Sequence, residues 1–182
     1  MRKISLSIAA FALAMLAMGG AAYSAAQTQV VLTAGSSLDI TEPTVGDFGT
    51  LVLDGTAKQA TATVTNLRVT DPRGTGEGWH VTIQATQLTD QATLRTLPLH
   101  SLSMATPGVA RHDSTSSGLP TLQEGPYYID DTGAIQIASA AVGDGMGSYD
   151  FTQGADLTLS VGADAHAGTY TTTVIVSVIA GP

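Results

Sequence analysis

Residues 70–85 read TDPRGTGEGWHVTIQA, and this stretch indicates how the chain folds. Three glycines, Gly74, Gly76 and Gly78, precede the single tryptophan of the chain, Trp79. After Trp79 apolar and polar residues alternate, as in a half-buried strand with one face in a core. A phosphate-binding loop would need a helix after the glycines, because the helix N-terminus supplies the amide groups. The glycines therefore predict a turn with positive φ angles that leads into a strand.

The same alternation recurs along the chain. Apolar positions separated by polar ones occur in three further segments: Ala60, Ala62 and Val64; Ala155, Leu157, Leu159 and Val161; and Tyr170, Val174, Val176 and Val178. Less regular strands are predicted at 29–34, 50–53, 96–104 and 134–137, and residues 106–124, rich in Ser, Gly and Pro, are predicted to form a long loop. Short strands separated by turn residues predict an all-β fold, an antiparallel β-sandwich or barrel-like single domain.

Residues 1–26 have the organisation of an export signal. A short basic region precedes an apolar run at 4–18, and the small residues at 24–26 form a signal-peptidase site. We expect cleavage after residue 26 and a secreted mature domain of residues 27–182. The apolar run is shorter than the roughly 20 residues that cross a bilayer, and no second such run follows. We therefore expect no membrane span in the mature chain.

The charge balance of the chain disfavours polyanionic partners. Seven Lys and Arg residues face fifteen Asp and Glu residues, which gives a net charge of −8. An acidic surface disfavours nucleic acid and anionic lipid as ligands. The chain also lacks cysteine, so core packing and sheet pairing must hold the domain without disulfides, as in many bacterial surface proteins.

Motifs for catalysis and metal binding are weak. The four histidines lack the close spacing that aims two imidazoles at one ion: His80, His100, His112 and His166. No Gly-x-Ser-x-Gly elbow occurs, and a cysteine nucleophile is impossible. We therefore expect a protein that is not an enzyme and has no metal site among these residues.

One acidic segment leaves two alternatives open. It contains five aspartates near glycines: Asp130, Asp131, Asp144, Asp150 and Asp156. Calcium takes oxygen ligands from such loops, although no EF-hand pattern is present. The segment is interpreted either as a calcium site or as a solvated acidic loop, and calcium is the one cofactor considered.

Two segments resemble the WxL domain, a cell-wall-binding module of Gram-positive surface proteins. The segment at 69–89, VTDPRGTGEGWHVTIQATQLT, is similar to the first motif of that family, a D-x-R-G-T-G-x-G-W run that enters a strand. The segment at 162–182, GADAHAGTYTTTVIVSVIAGP, is similar to the closing motif. The first Trp-x-Leu is Trp79-His80-Val81 here, and Val176-Ser177-Val178 stands at the second, so one tryptophan is missing.

The resemblance implies attachment to peptidoglycan through the two motifs. The motif residues that would take part are Gly78, Trp79, Val81, Tyr170, Val174, Val176 and Val178. Trp79 is either a core residue that packs against the valine-rich last strand or an exposed platform that stacks on a sugar ring.

The resulting function hypothesis is a secreted, non-catalytic cell-surface protein. It would associate non-covalently with peptidoglycan or another wall polymer, and possible further partners are other surface proteins. The alternative is a structural or adaptor subunit of an extracellular protein assembly, because an unprotected edge strand pairs readily with another chain.

Overall fold

The computed structural model describes residues 29–153 and 156–182, and the structural statements below refer to these residues. They contain no helix, and their regular structure is a set of sixteen strands. The strands are β1 (Asp39–Ile40), β2 (Thr44–Val45), β3 (Lys58–Thr65), β4 (Arg68–Asp71), β5 (Trp79–Ala85), β6 (Thr89–Asp90), β7 (Arg95–Thr96), β8 (Leu102–Met104), β9 (Gly108–Arg111), β10 (Thr121–Leu122), β11 (Tyr127–Tyr128), β12 (Ile135–Ala140), β13 (Gly147–Gln153), β14 (Asp156–Val161), β15 (Tyr170–Thr171) and β16 (Val174–Ala180).

The strands form four sheets in which every described pairing is antiparallel. Their strand orders are β1-β4-β13-β9, β10-β12-β5-β16, β11-β8-β14-β3-β2 and β15-β6-β7. None of these orders closes on itself, so the fold is sandwich-like rather than a barrel. The predicted all-β antiparallel class is confirmed.

Strand β5 is the central element for the site. It lies between β12 and β16, and its residues alternate strictly between buried and half-buried positions, as predicted. Trp79, Val81, Ile83 and Ala85 point into the core. The predicted strands around Ala62 and Leu157 also form, as β3 and β14.

Aromatic residues from a second sheet complete the core. Tyr149 and Phe151 of β13 are fully buried and contact Trp79, with ring centroids 5.7 and 6.3 Å from the indole. Aliphatic residues of the five-stranded sheet belong to the same cluster, among them Leu102, Met104 and Leu157. The buried cluster thus joins three sheets.

Several predicted elements are wrong. Residues 29–34 and 50–53 form no strand, because no neighbouring strand pairs with them in the described part of the chain. The predicted strand at 96–104 is split into β7 and β8 by a turn. The predicted long loop at 106–124 contains β9 and β10, which pair with β13 and β12.

Residues 33–182 form one compact unit. Residues 29–32 belong to the other unit, where Val30, Val31 and Leu32 are exposed. The predicted export signal at 1–26 lies outside the described residues, as does Ala155, and the boundary at residue 26 stays a prediction. No helix in the described ranges is long and apolar enough to cross a membrane.

Candidate functional site

A partly buried ion pair holds the glycine turn before β5. Arg73 donates from Nε to Asp71 Oδ1 and from Nη2 to Asp71 Oδ2, both at 2.8 Å. The same guanidinium reaches the carbonyl oxygen of Gly78 at 2.9 Å and Glu77 Oε2 at 3.0 Å. The Asp71 carboxylate is fully buried, and the hydrogen bond from Arg73 lowers its pKa despite the opposing effect of burial. One arginine thus fixes both ends of the turn.

Gly78 is the tightest point of this turn. Its φ angle is +76°, and Gly74 and Gly76 also have positive φ, as predicted. A Cβ at position 78 would clash with the carbonyl oxygen of Ala140 and lie 3.0 Å from the carbonyl carbon of Ala141. Only glycine lets β5 begin this close to the end of β12.

Trp79 lies in the core with none of its surface exposed. Its indole Nε1 donates a hydrogen bond of 2.8 Å to the carbonyl oxygen of Gly145. A Cβ on Gly145 would come within 2.5 Å of that nitrogen, so this position also requires glycine. The core interpretation is confirmed, and the exposed-platform alternative is wrong.

The aromatic partners of Trp79 come from a strand that the sequence pattern did not predict. They are Tyr149 and Phe151 of β13. Strand β16 lies beside β5 in the same sheet, where Ala180 is paired with Trp79. The alternation of polar and apolar residues from Ser148 to Phe151 is the sequence signal that would have indicated β13.

The two motif segments are neighbours in one sheet. In the ladder between β5 and β16, Val178 pairs with Val81 and Val176 pairs with Ile83. Val174, Val176 and Val178 are half-buried and pack against the core. The valines at the second motif therefore occupy inward positions beside the first motif.

Strand β16 also closes back onto the turn. The Gly181 amide donates to the Gly78 carbonyl at 3.1 Å. His80 Nδ1 lies 2.8 Å from the Gly181 carbonyl oxygen, to which it donates. His80, expected at a solvated outer position, is thus half-buried and bound to the backbone.

Tyr170 is the one predicted site residue outside this arrangement. Thr172 and Thr173 separate its strand, β15, from β16, and β15 pairs with β6. Gly78, Trp79, Val81 and the three valines of β16 are brought together. Tyr170 instead borders a separate groove.

This groove has a volume of about 660 Å³ and lies between the loop at 47–53 and the loop at 165–170. Its apolar lining is formed by four buried aliphatic side chains: Leu88, Leu97, Leu159 and Val161. The half-buried aromatic rings of Phe48 and Tyr170 also line it. Polar groups come from Asp47, Thr50, His166 and Thr169.

The aspartates of the predicted acidic segment do not come together at one site. Asp130 is buried, where its Oδ2 accepts the amides of Ser101 and Leu102 at 2.9 and 3.1 Å. Asp131 instead points to His100 at 3.0 Å. No group of three His, Cys, Asp or Glu side chains with metal-binding geometry occurs within 29–153 and 156–182. The five aspartates of the calcium alternative therefore form no such group in that part of the chain.

Asp150 is used in a structural bridge. Its carboxylate accepts hydrogen bonds from Arg68 Nε at 2.6 Å and from His112 Nδ1 at 3.0 Å. Burial would raise the pKa of Asp150, but the hydrogen bonds from Arg68 and His112 lower it overall. The bridge joins β4, β13 and the end of β9.

One of three comparisons with known proteins identifies a family. The model of the family described as WxL domain, surface cell wall-binding, matches residues 23–182. No curated protein and no solved structure matches the chain. Since the match covers most of the chain and both motif segments, the chain belongs to the WxL domain family of surface cell wall-binding proteins.

Proposed function

We propose that the protein is a secreted, non-catalytic surface protein of a Gram-positive bacterium that associates non-covalently with the cell wall. Residues 1–26 are its export signal, residues 27–182 its mature domain, and peptidoglycan or another wall polymer its ligand. The observation that carries the proposal is the family match over residues 23–182.

The arrangement of the motifs supports a scaffold role for them. Trp79 and the valines of β16 belong to the core and its border, and the Asp71–Arg73 pair holds the turn. These groups have no exposed aromatic surface on which a sugar could stack. The motifs therefore shape the domain, and wall contact falls to another surface.

Cosedimentation tests the proposal. Mature protein, residues 27–182, is mixed with washed Gram-positive cell walls, and bound protein is measured in the pellet. We expect retention and no release of soluble wall fragments. Protein that stays in the supernatant at saturating wall concentrations would overturn wall binding, and fragment release would overturn the non-catalytic assignment.

A second candidate function, an adaptor subunit of an extracellular assembly, is favoured by strand β16. This strand pairs only with β5 in the described part of the chain, although β1 lies near it. Residues 167–182 contain no charged side chain, and Ile175 and Ile179 are about half exposed. A long, uncharged edge strand is a site for pairing with another strand.

Sedimentation velocity over a range of concentrations tests this second function. Self-association through β16 should be weakened by Ile175→Lys, because lysine on an edge strand opposes pairing. Val142→Lys is the matched control, since Val142 is exposed and lies outside β16. A monomer at every concentration, or equal effects of both variants, would count against pairing through β16.

A further inference from the structure

We propose that the groove between residues 47–53 and residues 165–170 binds a neutral, N-acetylated amino-sugar chain of the cell wall. This inference rests on the proposed function and assigns it to a surface that contains neither tryptophan motif. Its volume of about 660 Å³ falls within the roughly 300–1,000 Å³ of small-ligand sites.

The apolar lining of the groove fits two apolar parts of such a sugar, the C–H face of the ring and the acetyl methyl group. Phe48 and Tyr170 offer aromatic surface for the C–H face of a sugar ring. The half-buried side chain of Leu51 and the exposed side chain of Leu53 offer an apolar surface for the acetyl methyl group, which an unmodified hexose lacks.

Polar groups in the lining can bind the sugar hydroxyl and amide groups. The Asp47 carboxylate already accepts the Gly49 amide at 2.9 Å through Oδ1, which holds it in place and leaves acceptor capacity for a ligand. The Tyr170 hydroxyl donates to the His166 carbonyl at 3.1 Å and can still accept a hydrogen bond. Thr50 and Thr169 add hydroxyl groups that can donate or accept.

Charge distinguishes this ligand from the anionic polymers of a wall. None of the described residues that line the groove is a lysine or an arginine, and Asp47 adds a negative charge. The whole chain carries a net charge of −8. Anionic wall polymers with phosphodiester linkages would be repelled here, whereas an uncharged glycan would not.

The two loops of the groove are held before any ligand binds. In the second loop, a Cβ on Gly168 would lie 2.7 Å from Asp90 Oδ2, so the loop packs directly on this carboxylate. Asp90 is buried, and it accepts hydrogen bonds from Thr93 and from the Ala92 amide. At the start of the first loop, the Gly46 amide donates to the Thr63 carbonyl of β3 at 2.9 Å. Preorganised loops lower the entropy cost of binding.

Titration with a soluble N-acetylglucosamine tetramer tests the groove directly. Mature wild-type protein is compared with Ala167→Trp, which places an indole in the groove from an exposed position, and with Ala110→Trp, an exposed control in β9. Binding is followed by calorimetry and by NMR shifts of the lining residues. We expect wild type and Ala110→Trp to bind alike and Ala167→Trp to lose affinity by about tenfold or more.

Binding to washed cell walls and to purified teichoic acid is measured in parallel experiments. These measurements distinguish a failure of this inference from a failure of the proposed function. Wild-type retention on walls with no tetramer binding overturns the groove as the glycan site and leaves wall binding intact. Tetramer binding without wall retention supports the groove and overturns wall association. Binding of teichoic acid in preference to the tetramer, or equal tetramer affinity of Ala167→Trp and Ala110→Trp, also overturns the inference.

Discussion

Trp79 stabilises the fold as a fully buried core residue. Its inward direction could be predicted from the alternation of β5, because the sequence places it in line with Val81 and Ile83. The partners of the indole could not be predicted in this way. The carbonyl oxygen that accepts its hydrogen bond belongs to Gly145, which lies 66 positions further along the chain. The local sequence pattern predicts which side of a strand a residue faces. The residues that it contacts there are determined by the tertiary fold.

Burial of the single tryptophan predicts its fluorescence. The native protein should emit at the short wavelengths of an apolar indole and resist quenching by acrylamide, because Trp79 has no exposed surface. Addition of cell-wall glycan should leave the emission unchanged. An emission maximum typical of solvated indole, shifted by glycan, would contradict the core position.

Replacement of Trp79 should cost stability before it affects binding. Trp79→Ala is expected to lower the free energy of unfolding by about 3 to 5 kcal/mol in urea titrations, because it leaves a large cavity beside Tyr149 and Phe151. Trp79→Phe fills part of this space and should cost less. Wall binding should persist in any Trp79 variant that circular dichroism shows to be folded.

The Asp71–Arg73 pair predicts an acid-sensitive stability. Because Arg73 lowers the pKa of folded Asp71, the contribution of the pair is complete above the ordinary carboxylate pKa of 3.8. This contribution to stability is lost as the pH falls from 3.8 through the lowered pKa of folded Asp71, where the carboxylate becomes protonated. Asp71→Asn should cost about 1 to 3 kcal/mol at neutral pH, because Arg73 loses its buried charged partner and keeps only Glu77. Urea unfolding from pH 7 to acid should show a shallower fall in this variant than in wild type.

Strands in which apolar and polar residues alternate strictly, such as β5 and β16, could be predicted from the sequence. Strands that form only because a neighbouring strand pairs with them could not. The break in the chain before β16 could not be predicted either, because it depends on distant Thr86, whose hydroxyl accepts the Thr173 amide at 2.9 Å. Short β9 and β10 exist because β13 and β12 pair with them. Conversely, residues 29–34 have strand propensity but no partner in the described chain.

The glycine turn permits a matched comparison of two substitutions. Gly74 and Gly78 both have positive φ, but a Cβ at position 74 would meet no atom within 4 Å, whereas one at position 78 would clash with Ala140. Gly74→Ala should therefore cost only the strain of the backbone, about 1 kcal/mol. Gly78→Ala should cost clearly more, as measured by thermal unfolding. Equal losses would mean that β5 can shift away from β12.

For the molecule as a whole, the all-β class could be inferred from the alternation and turn residues along the chain, and the family from two motif segments. The groove could not, because its lining residues come from four stretches between Asp47 and Tyr170 that no sequence pattern connects. Tyr170 belongs to the closing motif and could be named as a candidate from the sequence, whereas Phe48, the second aromatic residue of the groove, lies in no motif.

An uncharged ligand predicts weak dependence on salt. Retention of the mature domain on cell walls should change little between low salt and roughly 0.5 M NaCl, because screening acts on charged partners. Cosedimentation across this range measures the effect. A steep loss of binding with salt would indicate an ionic contact and contradict the neutral glycan.

The ladder between β5 and β16 has a consequence for folding kinetics. His80 and Gly181, which are hydrogen-bonded in the native state, are 101 positions apart along the chain. Contacts of such high contact order form slowly, because a long loop must close before they contribute free energy. The central sheet is incomplete until β16 has been synthesised and has paired with β5. For the export that we propose, this late completion would leave the nascent polypeptide unfolded for longer.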